Sequence, residues 1–131
     1  MRRALVLVLL VGVYFGWLGL RHRWSEEPAA VLPELPVQGT VTMIDLGSRK
    51  CIPCQMMEPI LKDLEKEYQG MAAIVFIDVF QNAMEGLKYR VRSIPTQIFY
   101  DREGKEVYRH EGFLDKAGIV AQLDRLGVKK H

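Results

Sequence analysis

The chain has 131 residues with 18 Lys and Arg, 16 Asp and Glu and two cysteines, a length that fits one small domain and leaves no room for a second catalytic one. The net charge of +2 misleads: four arginines, Arg2, Arg3, Arg21 and Arg23, flank an apolar stretch, and residues 24–131 are left with 14 basic against 16 acidic side chains. No basic field, no interleaved aromatic and basic residues and no phosphate-cradling glycine loop is present, which excludes nucleic-acid and nucleotide binding.

Ala4 to Leu20 is a run of 17 uncharged residues behind Met1-Arg2-Arg3, and it ends at Arg21-His22-Arg23-Trp24. A cleaved signal peptide and an uncleaved anchor share this pattern. No convincing small-x-small cleavage site follows Gly16, and Trp17 and Trp24 suit a membrane interface, so residues 1–23 are expected to be a retained signal anchor. The expected orientation is a cytoplasmic N-terminus in the inner membrane with the domain in the periplasm, or exported if the segment is cleaved. Residues 24–39 contain Pro28, Pro33 and Pro36, which disfavour a regular helix and predict a proline-rich tether. The folded domain is expected over residues 40–131.

Thr40 to Leu46 is β-branched and apolar and stops at Gly47-Ser48, as a strand feeding a loop does. From Cys54 to Tyr68, Met57, Ile60, Leu61, Leu64 and Tyr68 recur at helical spacing, with Lys62, Asp63, Glu65 and Lys66 on the wet side. Met71 to Ile77 is a short apolar run of the kind a strand covered on both faces shows, and it predicts a right-handed strand-helix-strand unit. Asn82 to Tyr89 reads as a short helix. Thr96 to Tyr100 and Lys105 to His110 read as a hairpin around Asp101-Arg102-Glu103-Gly104. Leu114, Ala117, Val120, Leu123 and Leu126 mark a last amphipathic helix. This order makes an α/β domain with a mixed four-stranded sheet, and it sets the residues after the first strand at the edge where ligands bind such sheets.

Those residues include Cys51-Ile52-Pro53-Cys54. A disulfide between them closes a ring too small to add much stability, so the pair is read as chemical rather than structural. At a helix start the first sulfur lies near unpaired backbone N–H groups and the positive end of the helix dipole, which favour a thiolate, and Arg49 and Lys50 add positive charge. Cys51 is the expected nucleophile, and Cys54, one turn along, the resolving thiol. Other uses of such a pair remain open to different degrees. Attached haem requires a histidine after the second cysteine, where Gln55 stands. Structural zinc lacks a second cysteine pair, and His22, His110 and His131 are scattered. A Cu(I)-binding or adaptor module could use the two thiols, with Met56 or Met57 as soft neighbours, although both methionines also read as helix-packing residues.

Four local features between Thr40 and Leu126 then fall in the order seen in the thioredoxin family, which the chain resembles. Asp45 stands six residues before the first cysteine at a strand end, Cys51-Ile52-Pro53-Cys54 keeps the loop proline, Pro59 follows Cys54 by five, and Ser93-Ile94-Pro95-Thr96 is similar to the segment that holds the family's cis-proline. The resemblance implies a thioredoxin-like fold, trimmed at its N-terminus, and a thiol-disulfide oxidoreductase that needs no cofactor and no metal. It implies catalytic roles for Cys51 and Cys54, a proton-relay role for Asp45, and Pro95 lying against the disulfide. Ile94, Thr96, Ile52, Pro53 and Lys50 would form the rim that meets protein thiols and disulfides. Departures are Lys50 in place of the usual tryptophan, Ile52 in place of a common glycine, and Ile74 where a lysine often pairs with the buried acid. Export would make a membrane electron-donor protein the expected partner and a reductant the expected role, with an oxidant or isomerase as the alternative.

Overall fold

The computed structural model describes residues 34–129. The apolar segment read as an anchor, most of the tether and the last two residues lie outside the described residues. Among the described residues no helix is long and apolar enough to cross a membrane.

Strand β1 (Thr42–Gly47) runs into the cysteine loop, and helix α1 (Ile52–Glu67) follows, then β2 (Ala73–Asp78), α2 (Ala83–Lys88), β3 (Thr96–Tyr100), β4 (Glu106–Glu111) and α3 (Lys116–Arg125). The sheet order is β2-β1-β3-β4. β1 pairs in parallel with β2 and antiparallel with β3, and β3 pairs antiparallel with β4. The mixed four-stranded α/β sheet expected from the periodicity is therefore present.

Alternation along the strands builds two cores. On one face Met43 and Phe99 meet Met57, Leu61 and Leu64 of α1 and Ile119 and Leu123 of α3. On the other, Ile44, Leu46, Ile77, Ile98 and Tyr100 meet Tyr89 and Leu35. Every residue of β1 and β3 is buried, whereas the first four residues of β2 are only half-buried. That corrects the expectation for Met71 to Ile77: the doubly covered strand is the central β1, and β2 stands at the edge of the described sheet.

α1 starts two residues earlier than its hydrophobic spacing shows, because Cys51 is its N-cap and Pro53 sits in the first turn, where the missing N–H is no loss. Pro59 lies inside α1 without ending it. The hairpin turn is held by Asp101 Oδ1, which accepts from the amides of Glu103 and Lys105 at 3.1 and 2.9 Å, and Gly104 takes a positive φ of 78°. Asp115 caps α3 by accepting from the Gly118 amide at 2.7 Å.

The packed body also takes in the end of the proline-rich stretch. Leu35 is buried among Ile44, Ile98 and Tyr100. The Val37 amide donates to Thr42 Oγ1 at 3.1 Å and the Gly39 amide to the Arg102 carbonyl at 3.1 Å. Residues 35–39, placed with the tether on composition, are thus laid down on the domain before β1 begins.

Candidate active site

β1 delivers the redox loop through a residue without a side chain. Gly47 lies against Cys54, and an added Cβ there would be 3.2 Å from Cys54 Sγ. Ser48 then turns the chain: its carbonyl accepts from the Cys51 amide at 3.1 Å, and its Oγ accepts from the Lys50 amide at 3.1 Å. Asp78, at the end of the neighbouring β2, clamps the loop from the side. Its Oδ2 accepts from the Arg49 amide at 3.2 Å, while Oδ1 accepts from the amides of Phe80 and Gln81. Burial would raise the Asp78 carboxyl, but the three amides outweigh it and hold the group below the usual carboxylate range.

This scaffold sets the two thiols at different depths. Cys51, at the N-cap of α1, is partly open, whereas Cys54 is 3% exposed, and both are free thiols. They lie within hydrogen-bonding reach of one another. Burial pushes the Cys54 thiol up to about 12, the Cys51 thiol and the nearby Asp45 charge add to the rise, and the Ser48 backbone amide opposes it. Cys54 therefore carries its proton at neutral pH and must give it up before it can attack. A cavity of about 190 Å³ opens beside it, walled by Ser48, Arg49, Gln55, Lys62, Ile74 and Phe76.

Asp45 lies on the face of β1 that α1 covers, two residues before Gly47, and is fully buried. Gln97 of β3 is its cross-strand partner, and Gln97 Nε2 donates to Asp45 Oδ1 at 2.7 Å. Burial raises the Asp45 carboxyl to about 6, partly offset by that hydrogen bond. Ile74, at the position where a lysine partner was looked for, lines the cavity beside Cys54 instead, and the polar partner comes from the opposite neighbour strand.

The Ile94–Pro95 peptide is cis and Pro95 is buried. Because Thr96 pairs with Leu46, Pro95 falls at the end of β1 where the redox loop leaves the sheet. Its carbonyl accepts from the Gly112 amide at 2.7 Å. The Thr96 side chain is buried and its hydroxyl donates to the Ser93 carbonyl at 2.7 Å. Thr96 thus braces the loop from inside, unlike the rim residue it was expected to be. Ile94 is the half-buried member of the segment, and its amide and carbonyl form no hydrogen bond among the described residues. Ile52 is 72% exposed, and Pro53 and Lys50 are also exposed, so these three form the outer rim.

Sequence reasoning missed Gly47, Ser48, Asp78 and Gln97. The strand-end positions of Gly47 and Asp78 were visible signals, whereas Gln97 has significance only through its register with Asp45. Met57, weighed as a soft metal ligand, is fully buried in the core beside α3, and the Leu114 amide donates to its sulfur at 3.5 Å. Among the described residues no group of three or more His, Cys, Asp or Glu side chains is placed to hold a metal ion.

A family model described as Thioredoxin matches residues 34–125. A thioredoxin of Staphylococcus aureus is 36% identical over 89 residues, covering 68% of this chain and 85% of its own. Among solved structures, the germline-specific thioredoxin Deadhead of Drosophila melanogaster superposes with a TM-score of 0.60 at 27% identity, covering 67% of this chain and 82% of that one. Chloroplastic thioredoxin z gives 0.62 at 25% identity, covering 70% and 81%. The family model spans more than half of the chain, and the chain belongs to the thioredoxin family of thiol-disulfide oxidoreductases.

Proposed function

We propose that the protein reduces disulfides of other proteins on the extracytoplasmic side of the inner membrane, held there by its N-terminal segment and resupplied with electrons by a membrane donor. The observation that carries the chemistry is the unequal depth of the two thiols, Cys51 partly open and Cys54 buried behind it. The Cys51 thiolate attacks one sulfur of a substrate disulfide, forming a mixed disulfide and expelling the other substrate thiolate, which takes a proton from water. Cys54 then passes its proton to the Asp45 carboxylate and attacks Cys51 Sγ. The second substrate thiolate leaves, two electrons have passed to the substrate, and the chain holds a Cys51–Cys54 disulfide. Ile94, Pro95 and the exposed Ile52 and Lys50 present the surface on which an extended substrate strand lies, its backbone meeting the unoccupied Ile94 amide and carbonyl.

The direction of electron flow is supported by likeness to proteins named thioredoxin, which lie at the reducing end of the known scale. The location is supported by the uncharged run from Ala4 to Leu20 and its basic flanks. Equilibration of the full chain against a glutathione or dithiothreitol series tests the direction. A potential at or below roughly −240 mV agrees with a reductant, and one above roughly −180 mV makes the protein an oxidant or isomerase.

A further inference from the structure

Between the sheet and α1, the layer built by Met43, Phe99, Met57, Leu61 and Leu64 is apolar, and Asp45 and Gln97 form a polar island within it. Both are 0% exposed. One hydrogen bond joins them, from Gln97 Nε2 to Asp45 Oδ1. The remaining oxygen of each group, Asp45 Oδ2 and Gln97 Oε1, is buried without a partner. Two orphaned acceptors on an already bonded pair are costly in an apolar interior. A single proton relieves both, because a carboxylic acid and a primary amide can pair reciprocally, N–H to one oxygen and O–H back to the other.

We propose that Gln97 is a positioning residue for the redox reaction: its amide holds Asp45 by Oδ1, so that Oδ2 is the oxygen that takes the Cys54 proton, and Gln97 Oε1 then accepts the hydrogen bond of the protonated carboxyl. This rests on the reading of Asp45 as the proton acceptor for Cys54. The proton leaves Cys54 Sγ as the thiolate attacks Cys51, resides on Asp45 Oδ2 against the amide oxygen, and returns to Cys54 when the disulfide is reduced again. Gly47, on the same face two residues along β1, brings Cys54 Sγ against the strand that carries Asp45.

Few other groups face the pair. α1 supplies Cys54 and, in front of it, Cys51. β4 supplies His110, the cross-strand neighbour of Gln97, whose Nε2 donates to the Phe113 carbonyl at 3.2 Å. β2 supplies Phe76, the parallel neighbour of Asp45. A leucine or methionine at position 97 would strip Oδ1 of its donor, and a glutamate would set a second carboxyl against the first.

The test is the pH dependence of the resolving step in the full chain, followed by rapid quench with a saturating disulfide-linked peptide, together with the infrared carboxyl band of the reduced protein. The wild-type rate should break where Asp45 titrates, and Asp45→Asn should abolish the break. Gln97→Met should move the break upward by about one pH unit, because the carboxylate loses its donor, and should shift the protonated carboxyl band to higher frequency. Gln97→Glu, which keeps volume and polarity should the methionine variant fold poorly, should move the break upward further. An unmoved break and an unmoved band in a folded Gln97 variant would reduce that residue to packing and overturn the proposal. A break that survives in Asp45→Asn would instead remove Asp45 as the acceptor and defeat the reading beneath it, while disulfide exchange itself is judged separately by Cys51→Ser.

Discussion

Gly47 and Cys54 touch where the redox loop leaves β1: a methyl built on Gly47 would lie 3.2 Å from Cys54 Sγ and 3.1 Å from Phe76 Cε2. The close approach, and not backbone freedom, is what favours glycine here, since the residue sits in ordinary strand conformation within β1. Gly47→Ala must push the buried thiol or the Phe76 ring aside, at about 1–3 kcal/mol. The expected result is a lower melting temperature with slower turnover of a disulfide-linked peptide, read by calorimetry and by the turnover assay on the same preparation.

The depth difference between the thiols predicts selective labelling. At neutral pH iodoacetamide should modify Cys51 in the reduced, folded chain and spare Cys54, which is buried and holds its proton. Peptide mapping by mass spectrometry reads the two sites, and equal labelling before denaturant is added would contradict the assigned depth. In the same vein Cys51→Ser should lose exchange activity, and Cys54→Ser should accumulate the mixed disulfide with substrate.

Asp45 makes stability depend on pH in the direction opposite to a salt-bridged acid. Its carboxyl is raised from 3.8 to about 6 by burial, so both folded and unfolded chains bind the proton below the lower value. Between the two values the unfolded chain ionises while the folded one does not, and stability falls as pH rises through that window, levelling off above about 6. The contribution is about 3 kcal/mol from the size of the shift. Denaturant unfolding at a series of pH values should show this decline in the reduced wild type and a flatter profile in Asp45→Asn.

Gly112 presents the converse of Gly47. Its φ of 100° is one that other residues rarely adopt, while nothing lies within 4 Å of an added Cβ. Its amide donates to the Pro95 carbonyl, so strain at position 112 is delivered to the segment read as the substrate platform. Gly112→Ala should cost about 1–2 kcal/mol and raise KM for a protein disulfide more than it lowers kcat, measured by steady-state reduction.

Leu35 fills the second core against Ile44, Ile98 and Tyr100. Leu35→Ala should destabilise by about 2–4 kcal/mol, and a chain begun at Thr40 should lose at least as much, as equilibrium unfolding would show. An unchanged midpoint in both would mean that residues 35–39 rest on the domain without holding it.

The same leucine marks where sequence reasoning stops. Helix spacing from Met57 to Tyr68 and the apolar runs of the strands are local patterns, and they located every element of the sheet to within a few residues. The pair of cysteines is carried in one short segment, while Asp45 and Pro95 were singled out only by the family resemblance, and the structure sets both at the end of β1 from which that segment leaves. Leu35 sits in a proline-rich stretch whose composition says only that it is not helical, and its burial depends on a surface assembled from β1 and β3. Gln97 is hidden for a related reason: a glutamine within Thr96–Tyr100 looks like a wet-face residue until the register of β3 against β1 turns it toward Asp45. Pairing across strands distant in the chain is not written in either strand alone.

Cys54 has a consequence for timing as well as for chemistry. The thiol that ends each encounter is buried behind the one that begins it, so an arriving partner meets Cys51 and its rim before the group that releases it. The dwell of a captured partner is therefore clocked from the interior, by the environment of Gly47, Asp45 and Gln97. Substrates that differ widely in how fast they are caught should be let go at nearly the same pace.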